Sequence, residues 1–355
     1  GISEKDAEKL NTLSDFNEEQ INKITMDAVQ NAENTSEDSQ LIANVVSVVN
    51  DELINTMIEE VSKTSIEEKQ SLSAKVLKAI VDTEHSKIET ISEEHKDTIL
   101  KQTLESAKDQ KEGNIQDEED LSDFVAEIIV NTDAATASKV IEEINDIETD
   151  TNLSLEVMSG ISNKDENKLN DLSGEIKDEI EQLAEDAVQK AENTSEDSQK
   201  IADVVSVVNN DLINKVVEDV SQTSVDDKQS LSAKVLKAIV DTDSTKVEII
   251  DDNIKDIIIE QTIESAKNQE EGTGILEEEN FSDIVSDIIV NTDNDTAIKM
   301  IEEINDVETD TNLSLEVMSG ISNKDSNKLN DLSLNIQDEI EQLAEDAIQK
   351  AENTI

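Results

Sequence analysis

The chain repeats itself, and this limits its fold more than any other feature. Residues 69–83, KQSLSAKVLKAIVDT, recur unchanged at 228–242. Residues 142–165, EEINDIETDTNLSLEVMSGISNKD, recur at 302–325 with one change, Ile147 to Val307. GISEKD at 1–6 and GISNKD at 160–165 and 320–325 mark the same phase. The long period therefore divides the 355 residues into 1–159, 160–319 and the opening of a third period, 320–355. A smaller unit lies inside it. LSAKVLKAIVDTD (231–243), FSDIVSDIIVNTD (281–293) and LSLEVMSGISNKD (313–325) align without gaps, and QKIADVVSVVNND (199–211) is a worn version. The last residues of these stretches are Asp6, Glu52, Glu84, Asp133, Asp165, Asp211, Asp243, Asp293 and Asp325, spaced 46, 32, 49, 32, 46, 32, 50 and 32 apart. Such a regular alternation of long and short connections implies a helix–turn–helix unit of about 40 residues, the size of α-solenoid repeats.

Apolar spacing supplies the helices. Leu169, Leu172, Ile176, Ile180, Leu183, Ala187 and Ala191 step by three and four residues. That stripe predicts a helix of about 25 residues, about 38 Å long at 1.5 Å per residue. Ala297, Met300, Ile301 and Ile304 give a shorter helix in the same way. Ser65 with Glu68, and Ser224 with Asp227, have capping-box spacing, and NTSED at 34–38 and 193–197 supplies further caps. Gly113, Gly272 and Gly274 fall in the longest polar connections and read as loops. Alternating β-branched runs with hairpin turns are missing, so the expected class is all-α: tandem helical repeats stacked as an elongated α-solenoid-like array. These repeats resemble α-solenoid units in size. They lack the Trp, Tyr and Pro positions of tetratricopeptide repeats and the TPLH of ankyrins.

Composition narrows the function. Three aromatics, Phe16, Phe124 and Phe281, leave the core to Ile, Leu, Val, Met and Ala. Cys, Pro and Arg are absent, so there is no disulfide framework and no thiolate chemistry. Asp and Glu number 87 against 29 Lys, a formal charge of −58. That sign opposes the cationic footprint that nucleic-acid backbone or anionic lipid requires. It favours solubility and attraction of cations or basic partners. No apolar run approaches the ~18 residues of a membrane span.

Candidate chemistry is thin. Asn291, Asp293 and Asp295, and Glu308, Asp310 and Asn312, place oxygens at alternate turn positions, as calcium loops begin. The central Gly and distal Glu of such a loop are missing, and helix capping accounts for the same residues. His85 and His95 are replaced in the next period by Ser244 and Ile254, which favours solvated surface histidines. The acidic pairs Glu59–Glu60 and Glu302–Glu303 read as solvated helix faces. The sequons at Asn34, Asn152, Asn193, Asn294 and Asn312 fall in turns, where Asn and Ser are equally expected as caps.

No catalytic, cofactor-binding or metal-binding residue is assigned, and no cofactor is expected. Acidic, aromatic-poor, near-duplicate arrays resemble in composition the very large repetitive surface proteins of bacteria. That resemblance and the near-verbatim copying imply a non-enzymatic structural segment: an extended spacer, stalk or filament-forming part of an acidic extracellular or cell-surface protein. Its partners would be copies of itself or neighbouring repeats, with diffuse Ca/Mg counter-ions, no nucleic acid and no membrane insertion. The alternative is an acidic module that recruits cations or a basic protein.

Overall fold

The computed structural model describes residues 15–47, 49–67, 71–147, 152–164, 172–208, 210–226, 230–271, 279–307, 313–324, 329 and 332–353. Among them the chain is all-α, with eighteen α-helices, one short 3-10 segment and no strand. Packing separates two compact units, Gly1–Leu183 and Ala184–Ile355. The period start at Gly160 falls inside a helix, because a sequence period is a phase and sets no structural boundary.

In the first unit the helices are α1 (Asp15–Asn31), α2 (Ser36–Val46), α3 (Asp51–Glu67), α4 (Leu72–Glu84), α5 (Glu93–Lys111), α6 (Leu121–Asn131), α7 (Ala134–Asp146) and α8 (Leu153–Ser162). Alternate helices pack side by side: α2, α4, α6 and α8 form one row, and α1, α3, α5 and α7 form the other. Helix α9 (Gly174–Lys190) follows. The second unit repeats both rows. Helices α10 (Ser195–Val207), α12 (Leu231–Asp243), α15 (Phe281–Asn291) and α17 (Leu313–Ser322) pack in sequence. So do α11 (Asn210–Asp226), α14 (Asp252–Glu270), α16 (Asn294–Asp306) and α18 (Leu334–Asn353). The one-turn helix α13 (Thr245–Ile249) lies between α12 and α14 in the chain. Two stacked rows of helices within each unit are the solenoid architecture.

The row of shorter helices is the more deeply buried. In α4, Leu72, Ala74, Val76 and Leu77 have no exposed surface, and Ser73 and Lys75 between them are also buried. A helix apolar on nearly every side must be covered from both flanks and from behind, and α2, α5 and α6 do this. In α9, and in α16 of the other row, burial follows a single stripe. Ile176, Ile180, Leu183, Ala187 and Ala191 are buried, as are Ala297, Met300, Ile301 and Ile304. Helix α9 is shorter than the stripe predicts: it starts at Gly174, Leu172 precedes it and Leu169 lies outside the described residues.

Caps explain most helix starts. Thr35 Oγ1 accepts from the Asp38 backbone N–H at 3.2 Å and Thr194 Oγ1 from that of Asp197 at 3.1 Å, so NTSED caps as its sequence suggests. Ser65 and Ser224 do not. Both lie inside helices that run past them, and each hydroxyl instead receives the N–H of the next short helix, from Ser73 and Ser232, at 3.4 Å. Their proposed partners Glu68 and Asp227 are outside the described residues, as are Gly272 and Gly274. Gly113 has φ 78°, the left-handed conformation that a loop glycine supplies cheaply.

Two glycines let neighbouring short helices meet closely. A methyl group on Gly320 would lie 2.9 Å from Ser286 Cβ, and one on Gly160 would lie 2.9 Å from Ala126 Cβ. Neither obstacle can rotate away, because a Cβ is fixed to its helix backbone. Gly320→Ala is expected to destabilise the chain by about 1–2 kcal/mol, overpacking outweighing the better helix propensity of Ala. Adding Ser286→Gly should lower that penalty in urea unfolding; a stabilised single variant would refute the close contact.

Candidate functional site

The row of short helices carries the same polar groove in both units. In the first it is built by Ser36 and Gln40 of α2, by Lys75, Lys78 and Asp82 of α4, and by Glu119 and Phe124 at the entry to α6. In the second, Ser195, Gln199, Lys234, Lys237, Asp241, Glu279 and Ile284 occupy the corresponding places. The cavity measures about 60 Å³ in the first unit and about 310 Å³ in the second. Phe124, whose ring lies 5.2 Å from the Lys78 ammonium, fills more of the floor than the Ile284 that replaces it.

The hydrogen bonds repeat as well. Gln40 donates through Nε2 to Thr83 Oγ1 at 2.7 Å, and Gln199 to Thr242 Oγ1 at 2.9 Å. Ser36 donates to Glu119, and Ser195 to Glu279. Lys75 and Lys234 donate to the backbone carbonyls of Asn34 and Asn193 at 3.2 and 3.1 Å. These side chains come from stretches 41 to 84 residues apart in sequence, which stacking brings together.

Every lysine of the groove faces carboxylate. Lys78 lies 2.6 Å from Asp82 and 3.1 Å from Glu127. Burial alone would lower the Lys78 pKa, but these two carboxylates outweigh it and the net shift is upward. Lys237 pairs with Asp241 and stands 3.9 Å from Asp287, which Lys324 reaches at 2.6 Å. Nearby, Lys111 bridges Asp120 and Glu156 at 3.1 Å each. Asp123 is exposed by surface area, yet desolvation by the atoms packed around its carboxyl raises its pKa.

A second cleft in the first unit, about 780 Å³, runs between the ends of α4 and α6, with Asp82, His85, Glu127 and Lys164 among its polar lining. His85 is exposed at its rim. His95 is part-buried, its Nδ1 3.4 Å from Asn55 Oδ1 and its Nε2 4.0 Å from Glu59. The solvated-surface expectation thus describes His85 better than His95.

The turn carboxylates act as caps. Asp133 Oδ1 accepts from the backbone N–H groups of Ala135 and Thr136 at 3.0 and 3.1 Å, and Asp293 Oδ1 from that of Thr296 at 2.9 Å. Burial would raise both pKa values, but hydrogen bonds from Thr136 and Thr296 bring them below the usual carboxylate value. A depressed carboxylate pKa contributes stability above the unfolded value, and that stability is lost as pH falls through the folded one. Asp293→Ala should cost about 1 kcal/mol at pH 7 and progressively less below pH ~4, read by urea unfolding at both pH values. An equal loss at both would exclude the charged cap.

Asn291 donates to the Asp287 carbonyl at 2.7 Å, and Glu308, Asp310 and Asn312 lie outside the described residues. Among the described residues, no three His, Asp or Glu side chains are grouped to hold a metal ion. Three sequons have structural duties. Asn34 and Asn193 donate to Ser71 and Ser230 at 2.7 and 2.6 Å, tying successive short helices together. Asn152 accepts from the Leu155 N–H at 3.1 Å as a cap.

The architecture places the chain in the class of tandem helical-repeat proteins. No protein-family model and no curated protein matches the sequence. Among solved structures, the RNA-binding domain of yeast Puf5p bound to MFA2 RNA is similar over 96% of this chain and 92% of that one, with TM-score 0.50 and 12% identity. The same domain bound to SMX2 RNA gives TM-score 0.48 over 96% and 92% at 12% identity, and bound to AAT2 RNA 0.49 over 92% and 88%, also at 12% identity. The likeness is one of fold.

It corrects three expectations. A stack of helical repeats serves recognition in the yeast domain, so repetition does not mark this chain as a spacer, stalk or filament. The extracellular and cell-surface assignments, which rested on a likeness of composition, are corrected by the same comparison. Nor can the exclusion of nucleic acid stand on net charge, because −58 is a sum over the chain and binding depends on the local surface. No described helix is long and apolar enough to cross a membrane.

Proposed function

We propose that this chain is a non-catalytic recognition scaffold, a stack of helical repeats that holds an extended macromolecular ligand on the row of short helices in each unit. One observation carries the reading: the groove recurs in both units with its Gln–Thr and Ser–Glu hydrogen bonds retained. RNA enters as the first ligand class because the yeast domain that shares the fold binds it. The electrostatics set the terms. The groove lysines are held by carboxylates, so few phosphates would be neutralised, and contact must come chiefly from uncharged hydrogen-bonding groups such as Gln40 and Gln199. For single strands the logarithm of affinity falls by about 0.7 per neutralised phosphate for each tenfold rise in salt, so a shallow dependence is expected.

The test is fluorescence anisotropy of a labelled random-sequence single-stranded RNA and, separately, a lysine-rich peptide, titrated with the full chain at 50 and 200 mM salt. Saturable RNA binding with a shallow salt dependence, weakened several-fold by Gln40→Ala with Gln199→Ala at unchanged melting temperature, supports the reading as stated. Saturable binding of the peptide alone keeps the scaffold and overturns RNA as its ligand. Binding of neither overturns the scaffold.

A further inference from the structure

We draw no further inference here: the strongest candidate, the apolar patch on α17 and α18 where Leu315 and Ile348 are exposed although their repeat counterparts Leu155 and Val188 are buried, is an unpartnered face, and nothing in the structure shows what covers it.

Discussion

Replacing Asp117 with Ala is expected to destabilise the chain by about 3 kcal/mol, the loss that follows when one member of a buried ion pair is removed. Asp117 and Lys75 lie 2.8 Å apart, with only 6% and 8% of their side-chain surface exposed. The carboxylate also accepts from the Ser71 hydroxyl at 2.7 Å and from the Glu119 backbone N–H at 3.2 Å. Burial would raise its pKa, but Lys75 and these donors hold it below the usual value. Without Asp117 the ammonium keeps one backbone acceptor, the Asn34 carbonyl, and remains buried. Lys75→Met combined with Asp117→Ala should recover most of the loss, since the charge left stranded is then gone. A second lysine pair gives a comparison, although its acid, Glu279, corresponds to Glu119 and the residue aligned with Asp117, Glu277, lies outside the described residues. Lys234 is equally buried, but Glu279 is 42% exposed and 3.8 Å away, so Glu279→Ala should cost about 1 kcal/mol or less. Urea unfolding of the three variants decides it. A loss for Asp117→Ala no larger than that for Glu279→Ala would overturn the strong contribution expected of the buried Lys75–Asp117 pair.

Melting temperature should rise steeply with ionic strength. Even if each of the 29 lysines neutralised one of the 87 carboxylates, 58 charges of one sign would remain (87 − 29). The screening length is about 30 Å at 0.01 M salt and about 8 Å at 0.15 M, near the spacing of packed helices, so low salt lets repulsion sum over several repeats. The second unit shows this locally. Glu303 has a raised pKa, through burial first and then through Glu260, Asp306, Asp256 and Glu264. A carboxylate with a raised folded pKa gains stability as pH falls toward that pKa, the opposite of Asp117, Asp133 and Asp293. Mild acid should therefore act like salt, until the depressed carboxylates begin to protonate below pH ~4. Circular dichroism melts from 10 to 500 mM sodium chloride test the main claim. A constant midpoint would mean that the charges are already compensated within the fold.

The all-α class, the repeat unit and the buried stripes of α9 and α16 were legible in the sequence, because apolar spacing of three and four residues is a local property that each helix expresses by itself. The caps at Thr35 and Thr194 were legible for the same reason. Ser65 and Ser224 matched a local capping pattern equally well, yet α3 and α11 run through them, since packing against the next short helix outweighs a cap. The groove was not legible at all. Gln40 meets Thr83, Ser36 meets Glu119 and Lys75 meets Asp117 only after helices 42 to 83 residues apart in the chain have stacked. Copying was equally ambiguous. Near-identical repeats suit a spacer and a recognition stack alike, because repetition specifies the unit and its neighbour contacts, while the surface the units present together exists only once they pack. The sequence alone thus determined helices, period and charge, and tertiary stacking decided which lysines are buried and where a groove opens, since those depend on contacts between residues far apart along the chain.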